Sequence, residues 1–295
     1  MSWRPHGAML LFTALVGTSF TVGAMITHAL APEALTALRF LVAVAVMAGV
    51  VALTPGWRTV RLADGLRYLW IGLLLIVFFV TMFEALRLTD PLSLSAEFTL
   101  VPLLSALIGW PLNGQSLRGS TLGWLLIGTG GALWVLFDGS LAKLMALHPG
   151  RGEALFLLGV AAYAAYSPFV KRLHRGESLA QINLMALLAG LVLLGLYAPR
   201  TIVSADWAHV SPGVYAGIAY LAVMTTAVTF FLIKYASLRL TSAKTMAYTF
   251  LLPAFVAAYE GMLGHGWPSM VVIAGMAVTG LAVAMIETAP GNRPA

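Results

Sequence analysis

Charge is what this sequence has least of. Of 295 residues only 9% are Asp, Glu, Lys or Arg, against about 25% in a typical soluble domain. So few charges cannot cover a globular surface in water, which excludes an ordinary soluble enzyme. Disorder is excluded too, because it needs low hydrophobicity and high charge, and here 60% of residues are apolar. Cysteine is absent, so no disulfide, thiolate metal site or cysteine nucleophile can form. The six histidines (His6, His28, His148, His174, His209 and His265) fall in loops or at the ends of apolar segments. Asp64, Asp90, Asp138 and Asp206 are placed likewise. An intramembrane aspartyl or serine–histidine centre would need such groups at depth. H-E-x-x-H and Walker A motifs are both missing, so zinc-protease chemistry and ATP drive have no sequence basis. Neither metal nor cofactor is expected.

What is present is apolar length. A helical span needs about 20 apolar residues, and ten such segments can be read. They are roughly 7–28, 33–53, 66–84, 91–110, 119–137, 153–170, 178–198, 212–234, 241–260 and 268–287. Turn-forming residues separate them at Ala31-Pro32, Thr54-Pro55-Gly56, Asn113-Gly114, His148-Pro149-Gly150 and Pro212-Gly213. A β-barrel would show short alternating strands instead. The first segment is too long for a signal-peptide core and reads as a retained span. The expected class is all-α: a polytopic membrane protein of ten transmembrane helices.

The net charge of +6 reflects topology rather than nucleic-acid binding, since no basic stripe lies on a soluble face. With the N-terminus inside, inner segments carry Arg4, Arg58, Arg61, Arg67, Arg118, Lys171, Arg172, Arg175, Lys234, Arg239 and Arg293, which is 11. Outer segments carry Arg87, Lys143, Arg151 and Arg200, which is 4. Basic residues concentrate on the cytoplasmic side, so both termini are expected there. Arg39 and Lys244 fall inside spans.

The chain also resembles itself. Leu86-Arg87-Leu88-Thr89 recurs as Leu238-Arg239-Leu240-Thr241, an offset of 152. Residues 95–102 parallel 246–253 at an offset of 151, and Gly123 and Gly128 match Gly275 and Gly280. Glu33 and Arg39 stand opposite Glu177 and Asn183. The units are residues 1–139 and 153–295, joined by a loop at 140–152. Five spans per unit is odd, so the second copy must enter the membrane upside down. Inverted repeats are typical of secondary transporters, which bind substrate between the halves.

With two five-helix repeats, Pro32 followed by Arg39-Phe40 in span 2, Pro102 in span 4 and Pro253 in span 9, the chain resembles the EamA family of the drug/metabolite transporter superfamily. In length and layout it looks most like bacterial aromatic and neutral amino-acid exporters of the YddG type. Many members carry Leu-Gly-Glu after span 9, where this chain reads Leu263-Gly264-His265. The resemblance implies alternating-access export of a small molecule, an amino acid foremost, across a bacterial inner membrane. Another metabolite class is the alternative. The partners expected are that substrate and the lipid bilayer, with one chain sufficient for transport.

Ionisable groups within a span are costly, and each asks for a reason. Most acids lie near span ends, and Glu84 can pair with Arg87 three residues on. Glu97 lies about 9 Å inside span 4 at 1.5 Å per residue, with Ser93 four residues before it on the same face. The repeat maps this pair onto Lys244 and Tyr248, and all four are candidates for a central cavity. There Glu97 could hold a proton or an amino group. For Lys244 the competing reading is that it snorkels to the interface. Arg39 is read as a structural ion pair, with Glu97 or Asp90 as the partner. The uncharged candidates for a substrate pocket are Tyr163, Tyr166, Phe78, Phe79, Thr18 and Thr225. Pro102 and Pro253 should kink their spans, as hinges or as static bends. Gly119-x-x-x-Gly123 and Gly213-x-x-x-Gly217 should bring helices close.

Overall fold

The computed structural model describes residues 3–53, 57–61, 64–114, 119–142, 150–237, 239–240 and 242–288. The turn residues Thr54-Pro55-Gly56 and His148-Pro149 lie outside these. So do the loop cations Arg118, Lys143 and Arg293, and Leu238 and Thr241 of the second tetrapeptide.

Ten membrane-crossing segments follow in order, and no strand occurs among the described residues. Six are unbroken helices: Arg4–Ile26, Pro32–Ala52, Gly65–Ala85, Gly119–Leu136, Arg151–Leu173 and Leu179–Tyr197 are spans 1, 2, 3, 5, 6 and 7. Span 10, Met270–Thr288, is also unbroken. Prolines open many of these helices, at Pro32, Pro91 and Pro212. A first-turn proline lacks only an N–H that would have had no helical partner anyway. Side-chain caps start two more precisely defined ends: Asp90 accepts from the Ser93 amide at 2.9 Å, and Ser178 accepts from that of Gln181 at 3.2 Å.

The other three spans are interrupted. Span 4 is two helices, Pro91–Phe98 and Val101–Asn113. At the junction the Thr99 and Leu100 amides bond to Ala96 and Glu97 carbonyls three residues back. Span 9 is Ser242–Ala247, a 3-10 turn Tyr248–Leu251, then Leu252–Met262. Pro102 and Pro253 each occupy the first turn of the second piece. The chain therefore changes winding just before each proline. Span 8 runs Pro212–Ala222 and Thr229–Ser237 around a π-helical turn, Val223–Val228.

The contacts between halves come in symmetric sets. Span 3 packs on span 6 as span 8 packs on span 1, and span 4 packs on span 6 as span 9 packs on span 1. Span 3 packs on span 7 as span 8 packs on span 2, while 2 meets 7, 4 meets 9 and 5 meets 10. That list is unchanged when each span is exchanged for the one five further on, as two inverted five-helix repeats require.

Of the two glycine spacing motifs only the second brings helices close: a Cβ on Gly217 of span 8 would lie 3.0 Å from the Ile26 side chain of span 1. A Cβ on Gly119 or Gly123 would meet nothing within 4 Å. A Cβ on Gly72 of span 3 would lie 2.6 Å from the Gly190 amide nitrogen of span 7. One on Gly131 of span 5 would lie 2.9 Å from the Gly275 carbonyl of span 10. Both contacts are backbone to backbone, and both join the two halves.

Candidate functional site

Where the halves meet, spans 3, 4 and 6 build a layer of rings. Phe78 lies 4.6 Å from Tyr163, 5.6 Å from Phe98 and 4.9 Å from Phe79, between ring centroids. Phe98 lies 5.1 Å from Tyr163, which stacks on Tyr166 at 6.2 Å. These are ordinary distances for tilted aromatic pairs. The Tyr166 hydroxyl donates to Asn183 at 2.7 Å, so span 7 closes one side. Phe78 is buried, whereas Phe79, Tyr163 and Tyr166 keep part of their surface accessible. Four of the uncharged candidates are therefore neighbours. Thr18 lies apart, against Tyr220 of span 8, whose hydroxyl donates to it at 3.0 Å.

Arg39 enters the same layer from span 2. Its guanidinium carbon lies 4.2 Å from the Phe79 ring centroid, a cation–π contact. One Nη donates to the Thr225 hydroxyl at 2.8 Å. Thr225 belongs to the π turn and donates in turn to the Leu221 carbonyl at 2.7 Å. The residue is 2% exposed, and Nε and the other Nη have no hydrogen-bond partner. The expected ion pair with Glu97 or Asp90 is not formed. Asp90 instead caps its own helix, accepting from the Ser93 amide and, at 2.7 Å, from the Ser93 hydroxyl.

The two repeat-related polar pairs do not converge. Inversion sends equivalent residues to opposite ends of the bundle, and that is where they lie. Ser93 and Glu97 are near the end away from the termini. Glu97 is 2% exposed and its Oε2 has no partner. Lys244 and Tyr248 are near the end bearing the termini. There Tyr248 shares a 2.7 Å hydrogen bond with Nδ1 of His6, and Lys244 donates to the Glu287 carbonyl.

That end also holds a network with little signal in the sequence. Arg67, in the first turn of span 3, is buried, and it pairs with Glu177 from the loop between spans 6 and 7. It donates to the Leu173 carbonyl at 2.9 Å and to the Tyr68 hydroxyl at 3.0 Å. Its Nε approaches Asp64 at 3.2 Å, close enough for charge attraction although misaligned for a hydrogen bond. Arg175 reaches Asp64 at 3.0 Å. The Arg61 amide, burial and these two guanidinium groups act on Asp64, and the balance holds its carboxyl below the ordinary value. Burial alone would raise Glu177. Its own amide, the Arg67 guanidinium and the Arg175 amide outweigh burial and hold it low as well. At the other end, the Thr89 hydroxyl donates to Glu153 across the halves. The sequence signals were a cation just inside a span for Arg67, and the Glu33–Glu177 repeat match. Neither identifies a partner.

His265, standing where many members carry glutamate, pairs with Glu260 five residues upstream at 2.6 Å.

Known proteins agree with this architecture. A solved crystal structure of another protein superposes with a TM-score of 0.69, over 96% of this chain and 97% of that one, at 19% identity. At that identity the likeness speaks for the fold alone. An uncharacterized transporter of Bacillus subtilis (strain 168), YyaM, is 22% identical over 220 residues, covering 74% of this chain and 72% of its own. The EamA-like transporter family model matches twice, at residues 5–137 and 150–288. Two matches, spanning nearly everything described above, settle the relationship: the chain belongs to the EamA-like transporter family.

Proposed function

We propose that this transporter exports small metabolites, specifically aromatic or neutral amino acids, by alternating access. The observation that carries the substrate class is the ring layer of Phe78, Phe79, Tyr163 and Tyr166 at the junction of the halves. An apolar, aromatic site with a few polar groups is the usual design of a small-molecule pocket. Cross-half polar contacts at both ends, Arg67–Glu177 at one and Thr89–Glu153 at the other, suit gates that open in turn. The 11-to-4 basic bias supports cytoplasmic termini in a bacterial inner membrane. One chain holds both repeats and suffices for transport.

The test is counterflow of labelled amino acids in proteoliposomes, with and without a pH gradient. Exchange of phenylalanine or leucine upholds the reading. Movement of sugars or nucleosides, with no amino acid carried, replaces the substrate class and leaves transport standing. Glu97, buried and unpartnered, is the proposed proton carrier. Glu97→Gln should abolish the effect of the gradient while sparing exchange at neutral pH. An unchanged gradient response removes Glu97 from coupling.

A further inference from the structure

We infer that Arg39 is a carboxylate-recognition residue, and that the transported compound carries a single carboxylate on an apolar or aromatic body. The inference deepens the proposed function and rests on substrate reaching the ring layer. Its basis is unmet hydrogen-bonding capacity. A guanidinium carries five N–H donors in a planar fork, and Arg39 directs one nitrogen to a hydroxyl and none to a carboxylate. It is nonetheless 2% exposed. A buried charge without a counter-ion is strongly disfavoured, so a fold that only needed packing here would gain by an apolar residue. The four remaining N–H bonds match a carboxylate, which a guanidinium binds bidentately.

The surroundings narrow the ligand further. Phe79 covers one face of the guanidinium at 4.2 Å, and the rings of Phe78 and Tyr163 continue from it. A ligand held by its carboxylate would therefore lay its remaining atoms on aromatic surface. No second cation is paired or bonded within this layer among the described residues, so a single negative charge is balanced where a phosphate dianion is not. Thr225 fixes the guanidinium from a π turn, whose extra residue per turn is a feature often found at functional sites.

The experiment uses purified full-length protein and four phenyl probes: phenylalanine, 3-phenylpropionate, phenylalaninamide and phenethylamine. Ligand-induced shifts of the melting temperature in detergent measure binding, and counterflow measures transport. Wild type should be stabilised by the acids and not by the amide or the amine. Arg39→Gln should weaken acid binding by about tenfold or more, the worth of a charged hydrogen bond, while its melting temperature without ligand stays at or above that of wild type. Arg39→Lys, which keeps the charge and loses the fork, should fall between. Equal binding of acid and amide, or unaltered acid affinity in both variants, overturns the assignment. If no amino acid is exchanged, the amino-acid reading falls by itself. Arg39 is then judged on 3-phenylpropionate alone: stabilisation that disappears in Arg39→Gln upholds it, and no carboxylate-dependent stabilisation overturns it.

Discussion

Two arginines are buried among the described residues of this bundle, and they could hardly be treated more differently. Arg67 meets Glu177, Asp64, a carbonyl and a tyrosine hydroxyl, and its guanidinium lies 4.4 Å from the Tyr68 ring centroid. Arg39 has the same kind of ring contact and one threonine. The aromatic face is thus common to both, and the counter-ion is the variable. A saturated guanidinium holds parts of the chain together. An unsaturated one, buried as well, is a cost to the folded state, which a ligand can relieve. The lesson is that burial of a charge identifies neither role until its partners are counted.

The comparison is sharpest in stability. Arg67→Gln leaves Glu177 buried without its cation, and breaking such a pair costs about 3–5 kcal/mol. Its melting temperature should drop strongly, whereas Arg39→Gln should leave it unchanged or higher. A destabilised Arg39→Gln beside an unaffected Arg67→Gln would reverse the argument. Next comes the packing that brings the halves together. Gly72→Ala forces a Cβ to 2.6 Å from a backbone nitrogen and should cost about 1–3 kcal/mol, as overpacking does. Gly123→Ala, which meets nothing within 4 Å, is the matched control and should melt like wild type.

Acid should separate the two arginines as well. Asp64 and Glu177 are held below their ordinary values of 3.8 and 4.5 in the folded chain. The stability they contribute is therefore complete above those values and is lost as pH falls through the lowered ones. Melting temperature should hold from neutral pH to that range and then decline. The decline should be smaller in Arg67→Gln, which lacks the cation holding both acids down, and should be unmoved in Arg39→Gln. The smallest effect belongs to the exposed Arg87–Glu84 pair, 3.5 Å apart. Arg87→Ala should change stability by less than about 1 kcal/mol, as surface ion pairs do.

Much of the fold was legible because it follows from short-range quantities. Apolar length set the ten spans, and the Leu-Arg-Leu-Thr recurrence exposed the duplication. The Glu84–Arg87 pair was readable because three residues on a helix make neighbours. Arg39 was not, because its acceptor Thr225 is 186 residues away, and the sequence supplied two nearer acids to guess from. Glu177 stands 110 residues from Arg67 for the same reason. The prolines announced irregular spans, yet not that the irregularity precedes them. The π turn had no sequence signal. The Gly119–Gly123 motif meets no neighbour while Gly217 lies against Ile26, because spacing places two glycines on one face without saying which face meets a neighbour. Ser93 and Glu97 with Lys244 and Tyr248 were correctly related as repeat mates. Treating that relation as proximity ignored what inversion does to depth.

Inversion has one more consequence. Were the two repeats identical, the two access states of the proposed cycle would be related by a two-fold rotation and equal in energy, and the molecule would divide its time evenly between them. Any resting preference must come from departures from symmetry. Those departures are visible among the described residues: the buried Arg67–Glu177 pair ties the halves at one end, and the Thr89–Glu153 and Trp134–Val271 hydrogen bonds tie them at the other. The bias of the empty carrier is written in that difference, so exchanging the tether chemistry of the two ends would tilt it the opposite way.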